Sequence, residues 1–82
     1  MTNDEIFNTV VAIIKPFAKN QEALARISRE TRILDDLKVN SARLVDVVLD
    51  VESAFDIELA DDEVDRVRTV GDAVRVVEDK RK

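Results

Sequence analysis

The chain contains no cysteine and no histidine. That absence excludes disulfides, a thiolate nucleophile, a His-based triad and the His or Cys ligand sets of zinc sites. One glycine and one proline leave little turn chemistry for an all-β fold. Tryptophan and tyrosine are missing as well, and three phenylalanines are the only aromatics, so a core must be built from Val, Leu, Ile and Ala. A carboxylate-only metal site or a Lys base stays formally open, but no spacing points to either. The expectation is a protein with no metal and no catalytic residues, not an enzyme. No apolar run is long enough to span a bilayer. The N-terminus, Met1-Thr2-Asn3-Asp4-Glu5, is acidic where a secretory signal needs a basic region, so the cytoplasm is the expected compartment.

What is present is charge and aliphatic surface. The 82 residues suit one small domain over 1–82, expected as a monomer, and 38% charged residues suit a small helical protein. The net charge of −5 is unevenly spread. From Asp35 to Asp65 there are eleven acids against the two bases Lys38 and Arg43, a local charge of −9, while the rest of the chain carries +4. Such a surface repels nucleic acid and steers toward basic protein partners, although a solvated helical face has the same composition.

The pattern along the chain is helical. Thr2-x-x-Glu5 reads as a capping box, and Ile6, Phe7, Val10, Val11, Ile13, Ile14 and Phe17 recur at helical spacing. Pro16 should end or kink this first helix near Lys15. Residues 18–34 form a long connection, helix-compatible from Gln21 to Ile27 and loop-like from Ser28 to Arg32, with Ile33, Leu34 and Leu37 expected to pin it to the core. A second main helix should run from about Ser41 to Phe55, with Val47, Val48, Val51 and Phe55 as its inner face. Val45 and Leu49 fall on a flank beside Asp46, Asp50 and Glu52. Periodicity alone fits either a wide core stripe or an exposed binding surface there. Asp61-Asp62-Glu63 opens a short third helix burying Val64 and Val67. Thr69, with Asp72 three residues on, caps a last helix whose inner face is Val70, Ala73, Val74 and Val77. Lys80, Arg81 and Lys82 suit the dipole at its C-terminal end, where fraying is expected. The predicted fold class is all-α: a small four-helix bundle with three main helices and one short third helix.

From Leu37 to Val77 the chain resembles the acyl carrier protein family. Asp36-Leu37 with Asn40-Ser41-Ala42 is similar to the family's Asp-Leu-Gly-x-Asp-Ser-Leu loop. Phe55-Asp56-Ile57-Glu58-Leu59 followed by Asp61-Asp62-Glu63 resembles its helix-two exit, and Thr69-Val70-x-Asp72-Ala73 the start of its last helix. The resemblance implies that Ser41 receives a 4′-phosphopantetheine arm from coenzyme A through a phosphopantetheinyl transferase. The arm then carries acyl groups as thioesters in fatty acid, lipid or polyketide biosynthesis. A phosphate on a serine at a helix entrance also faces unpaired N–H groups. The resemblance further implies docking of the transferase and of acyl-loading and acyl-transfer enzymes with basic patches. Asp46, Asp50 and Glu52 would make the charged contacts and Val45 and Leu49 the apolar ones, with Asn40, Ala42 and Arg43 flanking the serine.

Four residues around Ser41 depart from the family pattern. Asn40 stands for Asp, Ala42 for Leu, Lys38 for Gly, and Arg43 places positive charge where an acid is frequent. Asn caps a helix as well as Asp does, so the fold should not suffer. The cluster points to a specialised carrier with dedicated partner enzymes. The alternatives are an unmodified helical interaction module with a carrier-like fold, and an aminoacyl or peptidyl carrier.

Overall fold

The structure is a computed structural model that describes residues 2–81. Among them are five α-helices: α1 (Asn3–Ile14), α2 (Gln21–Ala25), α3 (Leu44–Phe55), α4 (Asp61–Asp65) and α5 (Val70–Arg81). The three long helices and the short α4 are the expected bundle, and α2 is an additional short helix within the long connection.

The helix ends follow from local chemistry. Thr2 and Glu5 form the capping box at the start of α1: the Glu5 N–H donates to the Thr2 hydroxyl at 3.2 Å and the Thr2 N–H to the Glu5 carboxylate at 3.1 Å. That bond from the Thr2 backbone is the leading reason the Glu5 carboxyl lies below its ordinary range. Pro16 then converts the chain to a 3-10 turn over Lys15–Phe17. α3 ends at Asp56, which adopts left-handed geometry at φ 53°.

The core is aliphatic. Ile6, Val10 and Ile14 of α1, Val47, Val51 and Phe55 of α3, and Val70, Ala73, Val74 and Val77 of α5 are buried, joined by Ala18, Ile33, Leu37 and Val39 from the connections. α1 packs most extensively against α5 and then against α3. Val48, Val64 and Val67, expected inside, are only partly buried: Val48 and Val67 line an apolar cleft, and Val64 sits on the short α4, which packs little against the other helices.

The long connection is held as firmly as a helix end. It crosses the start of α5, where the Thr31 and Arg29 carbonyls accept the Val70 and Gly71 N–H groups at 2.9 and 2.8 Å. Ile33 N–H donates to the Arg68 carbonyl at 3.0 Å. The Arg29 side chain reaches the other way, donating to Asn3 and Asp4 and lying 4.7 Å over the Phe7 ring. Ile33 and Leu37 pin this segment as expected, but Leu34 does not: it is 37% exposed, since the turn that buries Ile33 and Leu37 leaves Leu34, Asp35 and Asp36 on its outer side.

The last helix also differs from expectation at its end. Lys80 pairs with Glu63 of α4 at 2.8 Å, and Arg81 donates to the Phe55 carbonyl at 3.3 Å. The mutual bond lowers the Glu63 carboxyl and raises the Lys80 ammonium from their ordinary values. Tertiary contacts therefore hold the helix through Arg81; Lys82 lies outside the described residues.

Candidate functional site

Ser41 stands on an anchored strip of backbone. Leu37 and Val39 are buried, and the Leu37 carbonyl accepts the N–H groups of Lys19 and Asn20 at 3.0 and 3.1 Å. The Val39 N–H donates to the Ile33 carbonyl at 3.3 Å. Lys38, between the two buried residues, is exposed and adopts φ 57°. Left-handed geometry, which favours glycine, is thus held by a lysine, at a local cost of about 1–2 kcal/mol.

The chain then enters the helix in two stages. Residues Ser41–Arg43 form a 3-10 turn, and α3 proper starts at Leu44, so the continuous helix expected from Ser41 is divided. Asn40 caps the turn. Its side-chain carbonyl accepts the Ala42 N–H at 2.9 Å and its backbone carbonyl accepts the Arg43 N–H at 2.8 Å. Asn40 does the work an Asp would do there. Ser41 is exposed, and its hydroxyl makes no hydrogen bond to the described residues.

The surface beyond the serine mixes apolar and acidic groups. Val45 and Leu49, one turn apart on α3, are 60% and 55% exposed. The acids beside them are not equivalent. Asp46 accepts from Arg43 at 3.1 Å, so its charge is offset at the Ser41 end of the helix. Glu52 is partly buried and its carboxylate accepts the Leu59 N–H at 2.6 Å, which fixes the chain leaving α3. Asp50 is exposed and makes no hydrogen bond or ion pair with the described residues. Of the three acids, it alone presents an unengaged charge.

Two concavities include residues near the start of α3. Leu44, Val48, Leu59, Val67 and Val76 help to line a wholly apolar cleft into the bundle with a volume of about 20 Å³. A cavity of about 10–15 Å³ holds one water, so the cleft as it stands has room for about one water and none for an acyl chain. The second, an open groove of about 360 Å³, is lined by Pro16, Phe17, Ala18 and Lys19 and by Asn40 and Arg43, which bracket Ser41 in the chain. Sequence reasoning missed Lys19 here. It lies far from Ser41 along the chain, and only the bonds from the Lys19 and Asn20 N–H groups to the Leu37 carbonyl bring it close.

The residues present suit a covalent phosphate-linked arm. A hydroxyl without competing hydrogen bonds is exposed, the helix cap is supplied by its neighbour, and a groove lined by that neighbour carries two cations.

Comparison with known proteins agrees with this geometry. Residues 8–77 match the family model described as a phosphopantetheine attachment site. The chain is 35% identical to the acyl carrier protein of Thermotoga maritima, over 96% of this chain and 95% of that one. It is 35% identical to the acyl carrier protein of Lactobacillus acidophilus, over 94% of each. Among solved structures, an acyl carrier protein from Enterococcus faecalis superposes with a TM-score of 0.79 at 28% identity, covering 98% of this chain and 99% of that chain.

Proposed function

This chain belongs to the phosphopantetheine-binding acyl carrier protein family, and from that premise we propose that Ser41 is the residue that receives its 4′-phosphopantetheine arm. The protein is a carrier rather than a catalyst. When bound, the arm supplies a terminal thiol that holds acyl groups as thioesters. The chain's own contribution is to present the serine. Leu37 and Val39 fix the backbone on either side of Lys38, Asn40 satisfies the helix entrance, and the Ser41 hydroxyl is left free for the transferase to reach.

The single observation that carries this reading is the division of labour between Asn40 and Ser41. A serine serving only as a helix cap would use its own oxygen on the backbone N–H groups that follow. Here Asn40 takes that role, within the segment matched by the attachment-site family.

We further propose that the face bearing Val45, Leu49 and Asp50 docks the transferase and acyl-handling enzymes, with Ala42 and Arg43 tuning which of them bind. Val45 and Leu49 would fill shallow apolar pockets, and Asp50 would meet a basic residue. The fitting setting is a cytoplasmic monomer in fatty acid, lipid or polyketide synthesis, served by dedicated enzymes because Lys38, Ala42 and Arg43 alter the surface around the serine. Incubation with coenzyme A and a phosphopantetheinyl transferase, read by intact mass, tests the attachment. Wild type should gain the mass of phosphopantetheine and Ser41→Ala should not. A gain retained in Ser41→Ala would place the arm elsewhere, and no gain with any transferase would favour an unmodified interaction module.

A further inference from the structure

The groove lined by Asn40 and Arg43, either side of Ser41 in the chain, has a composition that the docking face does not explain. It is lined by the cations Lys19 and Arg43, by Pro16, Phe17 and Ala18, and by Asn40, the residue before the serine. Lys19 makes no ion pair among the described residues. Arg43 gives one terminal nitrogen to Asp46, which leaves further guanidinium N–H donors. The acids nearby are already engaged within the chain. Asp46 is held by Arg43, and the Asp36 carboxylate accepts the Arg32 N–H at 2.8 Å. The groove therefore pairs two cations with apolar side chains, and its lining includes Asn40, the residue before the exposed Ser41.

We propose that this groove is the resting site of the proximal arm: Lys19 and Arg43 hold the phosphodiester, and Pro16 and Phe17 take the dimethyl-substituted carbon that follows it. The inference rests on Ser41 being the attachment residue and deepens that reading. The chemistry matches in order. A singly charged phosphodiester suits two flanking cations, with Arg able to offer paired N–H donors. The branched hydrocarbon that follows suits a partly buried ring and a pyrrolidine face. Because both cations are solvent-exposed, the hold is weak and salt-sensitive, a bias rather than a lock. Arg43 then has two uses: it offsets Asp46 on one side and retains the arm on the other. A partner that offers a carboxylate to Arg43 would release the arm from the groove toward its own active site.

The test compares unmodified and arm-loaded protein by ¹H–¹⁵N and ³¹P NMR at low salt, for wild type and for Lys19→Gln combined with Arg43→Gln. Both positions are exposed, and a thermal melt of the variant confirms that the fold is kept. The expected result is that loading shifts the backbone amides of Phe17, Ala18 and Lys19 as well as those around Ser41. In the double variant the shifts at 17–19 should be lost and the ³¹P resonance should move. Loading at Ser41 that perturbs only residues around 40–44 in wild type would overturn the groove assignment while leaving the attachment intact. Intact mass on the same samples showing no gain at Ser41 would overturn the attachment itself, and the groove assignment with it.

Discussion

Two of the helix entrances that carry a hydroxyl treat it in opposite ways. At the start of α5, Thr69 accepts the Asp72 N–H at 3.0 Å while Asp72 accepts the Thr69 N–H at 3.1 Å. The hydroxyl is part of a closed reciprocal cap beside the buried Val70. At the start of the Ser41–Arg43 turn, the cap is moved back one residue to Asn40, and the serine hydroxyl is exposed and unengaged. A hydroxyl at a helix entrance is thus structural when it closes its own cap, and available when a neighbour closes the cap for it.

The largest effect that would break this contrast is on loading. Ser41→Ala should abolish the phosphopantetheine mass gain while changing unfolding free energy by less than about 0.5 kcal/mol. Thr69→Ala should do the reverse, with loading unchanged and a stability loss of about 1 kcal/mol in urea denaturation. Equal stability losses in the two variants would end the distinction between a committed and a free hydroxyl.

Gly71→Ala probes how closely the α5 entrance is built. A Cβ there would lie 2.7 Å from the Arg29 carbonyl oxygen, the same atom that accepts the Gly71 N–H. The clash is with backbone, so the long connection must shift. The usual helix gain from Gly to Ala, roughly 1 kcal/mol, should be outweighed by overpacking of about 1–3 kcal/mol. Denaturation showing a more stable Gly71→Ala variant would mean that the connection is looser than its hydrogen bonds imply.

Lys38→Gly sharpens the other entrance. Relief of left-handed strain, about 1–2 kcal/mol, exceeds the extra freedom glycine brings to the unfolded chain, roughly 0.5–1 kcal/mol. A modest rise in melting temperature is expected, and a fall would show that the lysine side chain stabilises the loop in a way its exposed position does not suggest.

The smallest effect is acidic. Burial opposes ionisation of Asp72, but N–H groups from Thr69 and Arg68, with the Thr69 hydroxyl and Arg75, hold its carboxyl below the ordinary range. The unfolded chain therefore takes up this proton first. Stability from the group is complete above the unfolded value and is lost as pH falls through the lower folded one. Asp72→Asn should flatten that part of the acid dependence of denaturation; an unchanged profile would assign it to other carboxylates.

Much of this was legible in the sequence because it is local. Thr2 with Glu5, Pro16, and Thr69 with Asp72 act within a turn of helix, and their consequences are where spacing places them. The inner face of α5 follows from period alone, and the exposure of Val45 and Leu49 removes the wide core stripe that period left open. What escaped depends on partners distant in sequence. Glu52 reads as a surface acid, yet it caps the Leu59 N–H. Arg81 reads as a fraying tail, yet it reaches the Phe55 carbonyl. Leu34 reads as a core residue between Ile33 and Leu37, yet the tertiary bonds of that loop turn it outward. At the candidate site, Ser41 and its cap were readable from motif, whereas Lys19 was not, since its approach is set by the Leu37 carbonyl.

The measurement that bears most directly on Ser41 is site-resolved tandem mass spectrometry of the protein isolated from its native host. The account predicts phosphopantetheine on the peptide containing Ser41, on that residue alone. Protein that is wholly unmodified in its host, or an arm on another hydroxyl such as Ser53 or Thr69, would contradict it.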